Sequence, residues 1–151
     1  MGTSTQEQSL FALNTYNIFE LNPKNSFYVQ LVAQGINSDD YLTNELLRLG
    51  GINSIRGFEE NSLFASLFGL VRTEYRYRLN SSIYVHSILD AAYLENQVTA
   101  AEEKLFGFGF GFGLLTRSGL LRFNYANGKS ENQKFRLSNS KVHLSLSLFL
   151  F

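Results

Sequence analysis

An all-β fold is predicted for this 151-residue sequence: an antiparallel transmembrane β-barrel segment of about seven strands, with one long loop folded inward. Three observations carry that prediction. Short segments alternate apolar with polar residues at period two, as strands do between two different media. The longest apolar runs fall well short of the roughly 18 to 20 residues a membrane helix needs, whereas a barrel strand needs only about 9 to 11. Aromatic residues are abundant, with fourteen Phe and eight Tyr beside twelve Gly, and Pro23 is the single proline able to interrupt strands.

The totals exclude several function classes. Thirteen basic and thirteen acidic side chains cancel, so nothing points to nucleic acid or to a solvating acidic tail. Without cysteine there is neither a disulfide framework nor a thiolate metal site. The start, Met1 to Ser9, lacks a positive region followed by an apolar one, so it does not read as a signal peptide. An exported barrel needs such a signal when made. Either the sequence is therefore a fragment of a longer chain, or the membrane reading fails.

In chain order, Ser9 to Glu20 shows mixed alternation and Leu21 to Asn25 is a turn, because Asn and Pro supply turn conformations and stop a ladder. Ser26 to Gln34 alternates better, with Phe27, Val29, Leu31 and Ala33 opposed to Tyr28, Gln30 and Gln34, so the two segments read as a hairpin. Gly35 to Asn61 is a long connection expected to enter the lumen. Its middle, Tyr41 to Leu49, is too apolar for disorder, and loops of that length are usually functional or disordered. Ser62 to Leu79 is the longest strand candidate. Arg72, Glu74, Arg76 and Arg78 share one face and Val71, Thr73, Tyr75, Tyr77 and Leu79 the other, which suits a polar lumen and a lipid-facing wall.

After the tight turn Asn80-Ser81-Ser82, Ile83 to Tyr93 sets Tyr84, His86, Ile88 and Asp90 against Val85, Ser87, Leu89 and Ala91. Glu95 to Lys104 reads as a charged loop. Leu105 to Thr116 is the most regular stretch, with Phe106, Phe108, Phe110 and Phe112 on one face and Gly107, Gly109, Gly111 and Gly113 on the other. Glycine in a strand marks close approach of another backbone, so the Gly50 to Phe58 loop is expected to lie against all four. Arg117-Ser118-Gly119 turns the chain into Leu120 to Ala126, with Leu121, Phe123 and Tyr125 outward and Arg122 and Asn124 inward. Asn127 to Ser140 reads as a polar loop. Lys141 to Phe151 then alternates Val142, Leu144, Leu146, Leu148 and Leu150 with His143, Ser145 and Ser147, and closes on Phe149, Leu150 and Phe151.

No catalytic or metal site is expected. The glycine run alternates with Phe rather than opening a helix after a strand, so it is not a phosphate loop. His86 and His143 lack metal-ligand spacing, and no motif gathers Ser, His and Asp into a nucleophile elbow. No cofactor is expected either.

The loop carries Ile55-Arg56-Gly57-Phe58, introduced by Gly50-Gly51, with two strands before it and five after, a glycine-rich third strand after the loop and a terminal Phe. This layout resembles the C-terminal part of the sixteen-stranded barrels of the outer-membrane protein assembly and two-partner secretion superfamily, the BamA, TamA and FhaC type, from about Ser9 to Phe151. In that family an Arg-Gly-Phe tripeptide preceded by an aliphatic residue sits at the tip of a loop inside the lumen. The family pairs the loop arginine with acidic residues on the next two strands, which match Glu74 and Asp90 here. Alternation places Glu74 on the charged face and Asp90 on the face of His86. The resemblance also implies a C-terminal assembly signal at Phe149 and Phe151, although Ser145 and Ser147 stand where such a signal prefers apolar residues.

The resemblance implies that residues 1–151 are the C-terminal portion of a bacterial surface antigen-type barrel in the outer membrane of a Gram-negative-type bacterium. Its partners would be lipid, a polypeptide substrate, and an N-terminal barrel half with periplasmic polypeptide-binding repeats, with no nucleic acid. The expected role is protein insertion or polypeptide secretion, not enzymatic. The alternatives are a small complete outer-membrane or porin-like barrel, with an eighth strand in the N-terminal third, and a soluble ligand-binding β-barrel.

Overall fold

The computed structural model describes residues 7–149; Phe151 and the leading residues up to Gln6 lie outside them. The described strands are β1 (Gln8–Asn22), β2 (Asn25–Ser38), β3 (Leu47–Leu49), β4 (Leu63–Ala65), β5 (Leu67–Arg78), β6 (Ile83–Asn96), β7 (Ala101–Leu115), β8 (Gly119–Ser130) and β9 (Lys141–Leu148). Seven of them form one antiparallel sheet in the order β1-β2-β5-β6-β7-β8-β9, and β3 pairs with β4 in a separate ribbon. The fold is all-β, and the main sheet has the seven strands expected from the alternation, with the β3–β4 ribbon in addition.

Each turn has a local cause. Asn22 Oδ1 accepts the backbone N–H of Lys24 and Asn25, both at 3.0 Å, and Pro23 fits between them. Asn80 Oδ1 does the same for Ser82 and Ile83 at 2.8 and 2.9 Å. Asn96 does so for Val98 and Thr99 at 2.9 and 3.2 Å. These side chains replace ladder acceptors where the backbone reverses.

Several boundaries differ from the sequence reading. Glu95 to Lys104 is mostly strand: β6 and β7 stay paired to Asn96↔Ala101, which leaves only Gln97 to Ala100 as the turn. Asn127-Gly128, a turn dipeptide by composition, continues β8 to Ser130, paired with β7 as Phe108↔Asn127 and Gly107↔Gly128. Gly35 to Ser38 belong to β2, paired back to Gln8–Phe11. Ser62 to Leu79 is two strands broken at Ser66, whose N–H and hydroxyl both reach Glu95 O, at 2.7 and 3.0 Å. The eighth wall strand required by the small-barrel alternative is not in the sheet: among the described residues, the extra strand in the N-terminal third is β3, which belongs to the ribbon.

The two faces of the sheet differ sharply. Phe106, Phe110 and Phe112 of β7, Val142, Leu144, Leu146 and Leu148 of β9, and Leu89 and Tyr75 are all exposed on the outer face. On the inner face the connection between β2 and β5 covers a core of Leu49, Ile55, Phe58, Ala65, Phe68, Leu70, Ala92, Leu94 and Leu105. Burying an aliphatic or aromatic side chain fully contributes about 1.5–3 kcal/mol, so the apolar residues seat the loop before any charge is counted. The inner face is zoned rather than uniformly polar: apolar toward the ribbon, charged beyond Leu70 and Ala92.

Candidate functional site

The loop is shaped by its own backbone before it meets the sheet. Gly51 N–H donates to Ile55 O (3.2 Å), Ser54 N–H to Gly51 O (3.2 Å) and Asn61 N–H to Gly50 O (3.3 Å). Ser54 Oγ accepts Gly50 N–H at 3.2 Å. Gly57 has φ +94, the left-handed region where a Cβ is strained. A side chain there would also run into the backbone of Asn127 and Gly128. The reversal at Gly57 lets Ile55 and Phe58 enter the apolar core while Arg56 between them points at the charged zone.

Arg56 is fully buried. Its Nε and backbone N–H both donate to Asp90 Oδ2, at 2.8 and 3.1 Å, and Nη2 donates to Asp90 Oδ1 at 2.6 Å. Nη1 pairs with Glu74 Oε1, and Nη2 also lies 3.4 Å from Thr73 O. Two parallel bonds to one carboxylate need the planar fork of arginine. Burial works against the guanidinium charge, but the Asp90 bonds and charge, with those of Glu74, outweigh it and hold its pKa above the ordinary arginine value. Glu74 is shared, because Arg76 Nε donates to its other oxygen at 2.7 Å. Arg76 in turn lies 4.5 Å over the Tyr28 ring.

The sheet is locally altered where Arg56 enters. The β5–β6 ladder runs from Leu67↔Glu95 to Thr73↔Leu89 and resumes at Arg76↔His86. In the gap the N–H of Tyr75 is taken by Ser87 Oγ at 3.2 Å.

Of the four glycines expected to face the loop, Gly107 meets it: a Cβ there would strike the Arg56 carbonyl oxygen. The other three correct that expectation. Added Cβ atoms at Gly109, Gly111 and Gly113 would first meet the Tyr125–Ala126 backbone, Asn124 with Phe123 and His86, and the Tyr84 ring. Gly111 and Gly113 make room for large side chains, and Gly109 lies against the backbone of its paired strand. Phe149 is exposed beyond the end of β9.

Four contacts were not readable from the sequence. Gly57 N–H donates to His143 Nε2 at 3.3 Å, which requires the neutral imidazole. Gly128 leaves space for the Phe58 ring. Arg72 Nη2 donates to the loop carbonyl of Ile52 at 2.6 Å. Lys141 Nζ reaches Glu59 Oε1 at 2.9 Å, and this contact, through its hydrogen bond first and its charge second, lowers the exposed Glu59 carboxyl below its ordinary pKa. Each joins residues remote in sequence, and no local pattern signals such pairs. His86 Nε2 is 2.7 Å from Asn124 Oδ1, so the imidazole donates. Asn124 sits opposite His143 in the β8–β9 ladder. Chemically, the arrangement is a clamp: a loop cation fixed by two carboxylates on adjacent strands, with aliphatic packing around it.

A family model described as the Omp85 superfamily domain matches residues 3–148. No curated protein matches the chain.

Proposed function

The chain belongs to the Omp85 superfamily of outer-membrane protein insertion and secretion proteins, and from that premise we propose that it is the C-terminal part of such a transporter's barrel. In this reading the Ile55-Arg56-Gly57-Phe58 loop braces the lumen while a polypeptide substrate is inserted or passed through. Members of the superfamily are transporters and assembly factors rather than enzymes, and they belong to outer membranes of Gram-negative-type bacteria or of organelles. For this chain we place the site in a Gram-negative-type outer membrane, with an N-terminal barrel half and periplasmic repeats as further parts of the working protein.

The observation that carries the reading is the clamp of Arg56 between Glu74 and Asp90 beneath the loop. A buried arginine held by carboxylates on two successive strands fixes the loop to the wall and the two strands to each other. No nucleotide or metal is needed for that work. The free energy for insertion comes from the substrate itself, whose strand edges are satisfied only once they are paired in the bilayer.

The test is Arg56→Ala in the full-length protein. Transport or insertion should fall at least severalfold while the barrel still migrates as a folded species on an unheated gel. Wild-type transport in that variant would remove the loop from the mechanism.

A further inference from the structure

We propose that Arg72 is a positioning residue for this site: the standby cation of Asp90, taking over that carboxylate whenever Arg56 leaves it. The inference rests on the reading of Arg56 as the loop's anchor.

Arg72 is buried at 5% exposure, yet both of its hydrogen-bond acceptors are neutral. Nη1 donates to Gln30 Oε1 at 3.0 Å and Nη2 to Ile52 O at 2.6 Å, and its buried Nε has no partner. A buried charge ordinarily sits against an opposite one. The nearest acid across the ladder is Asp90, its direct partner in the β5–β6 register, and Arg56 holds both oxygens of that carboxylate.

The charges on the sheet explain the arrangement. Without the loop, Arg72 and Arg76 match Asp90 and Glu74 one to one across the β5–β6 pair; Arg56 is a third cation for two carboxylates. Glu74 already has a cation of its own in Arg76, 2.7 Å away. Asp90 has only the loop's Arg56 as long as Arg72 is engaged by Ile52. Ile52 is part of the loop, so withdrawal of the loop frees Arg72 Nη2 and Asp90 together. Opposed Cβ atoms in an antiparallel pair lie about 4.5–5.5 Å apart, well within reach of an arginine fork. The loop can then undock without stranding a buried carboxylate, while Gln30 keeps Arg72 on the inner face.

The rival role is a plain tether that holds the loop through Ile52 O. The two roles give opposite signs of coupling in the full-length protein. Unfolding midpoints in denaturant are compared for wild type, Arg56→Ala, Arg72→Met and the double variant. For a standby cation, the double variant loses more than the sum of the single losses, because Asp90 is left without any cation only there. Arg56→Ala with Arg72→Lys recovers most of the excess, since lysine restores the charge but not the guanidinium fork. An additive or smaller combined loss, or no recovery with lysine, overturns the proposal.

If the double variant does not fold at all, Asp90→Asn is added to it. Recovery of a folded barrel supports the proposal, and continued failure overturns it. The readout is unfolding rather than transport: normal transport in Arg56→Ala sinks the anchoring role, whereas additive midpoints sink only the standby role.

Discussion

Arg56 carries a full charge to a fully buried position. Removing one member of a buried ion pair typically costs about 3–5 kcal/mol, most of it the penalty of the partner left behind. Arg76 and Arg72 stand beside the two carboxylates concerned, so Arg56→Ala should cost less than that range. Arg56→Lys should resemble Arg56→Ala in transport more closely than it resembles wild type, because a point charge cannot make the two parallel bonds to Asp90. Gly107→Ala should cost about 1–3 kcal/mol by overpacking, since the new methyl meets the Arg56 carbonyl. Trypsin should then cut at Arg56 in the folded protein. Gly69→Ala is the matched control on β5: nothing lies within 4 Å of a Cβ there, and unfolding should shift by no more than about 0.5 kcal/mol.

Elements differ in what fixes them. The wall strands follow from period-two alternation and from turn residues acting within three positions, so β1, β2, β5, β6, β7, β8 and β9 were all legible in the sequence. Their ends were not, because Glu102, Glu103 and Lys104 pair as strand residues despite their charge. The three-residue ribbon strands β3 and β4 are too short for any periodicity to register. Arg56, Glu74 and Asp90 could be named only because a family layout suggested the pairing. Glu59 and Lys141 could not, since they touch across 82 positions.

That last tie makes a pH prediction. The folded-state pKa of Glu59 lies below its unfolded value, so its contribution is complete above the ordinary carboxylate range and fades as pH falls through the lower folded value. Glu59→Gln should therefore lower the unfolding midpoint slightly at neutral pH and not at all in strong acid. High salt should shrink the neutral-pH difference as well.

Taken as a whole, the molecule is a sheet with one apolar face, one half-apolar, half-charged face and two edges. Among the described residues β1 and β9 each pair on one side only. A hydrocarbon environment does not tolerate unpaired edge groups, which is why the proposed function assigns further strands to the working barrel. The apolar face makes its own prediction. Leu144→Arg in the full-length protein places a cation among exposed Val142, Leu146 and Phe112, at a cost of about 2–4 kcal/mol at bilayer mid-depth. The fraction running as a heat-sensitive compact band on a gel should fall. Full retention of that band would mean that this face does not meet lipid.

The loop's contacts also impose an order in time. Arg56 reaches Glu74 across 18 positions and Asp90 across 34, while Gly57 reaches His143 across 86. A chain emerging from its N-terminal end therefore presents the loop long before its last partner exists. The arginine can settle once β6 has joined β5, but the tie to His143 waits for β9, the last of the described strands. Full seating of the loop thus signals that β9 has paired, and a chain stalled before Lys141 would carry a loop gripped at one side and loose at the other.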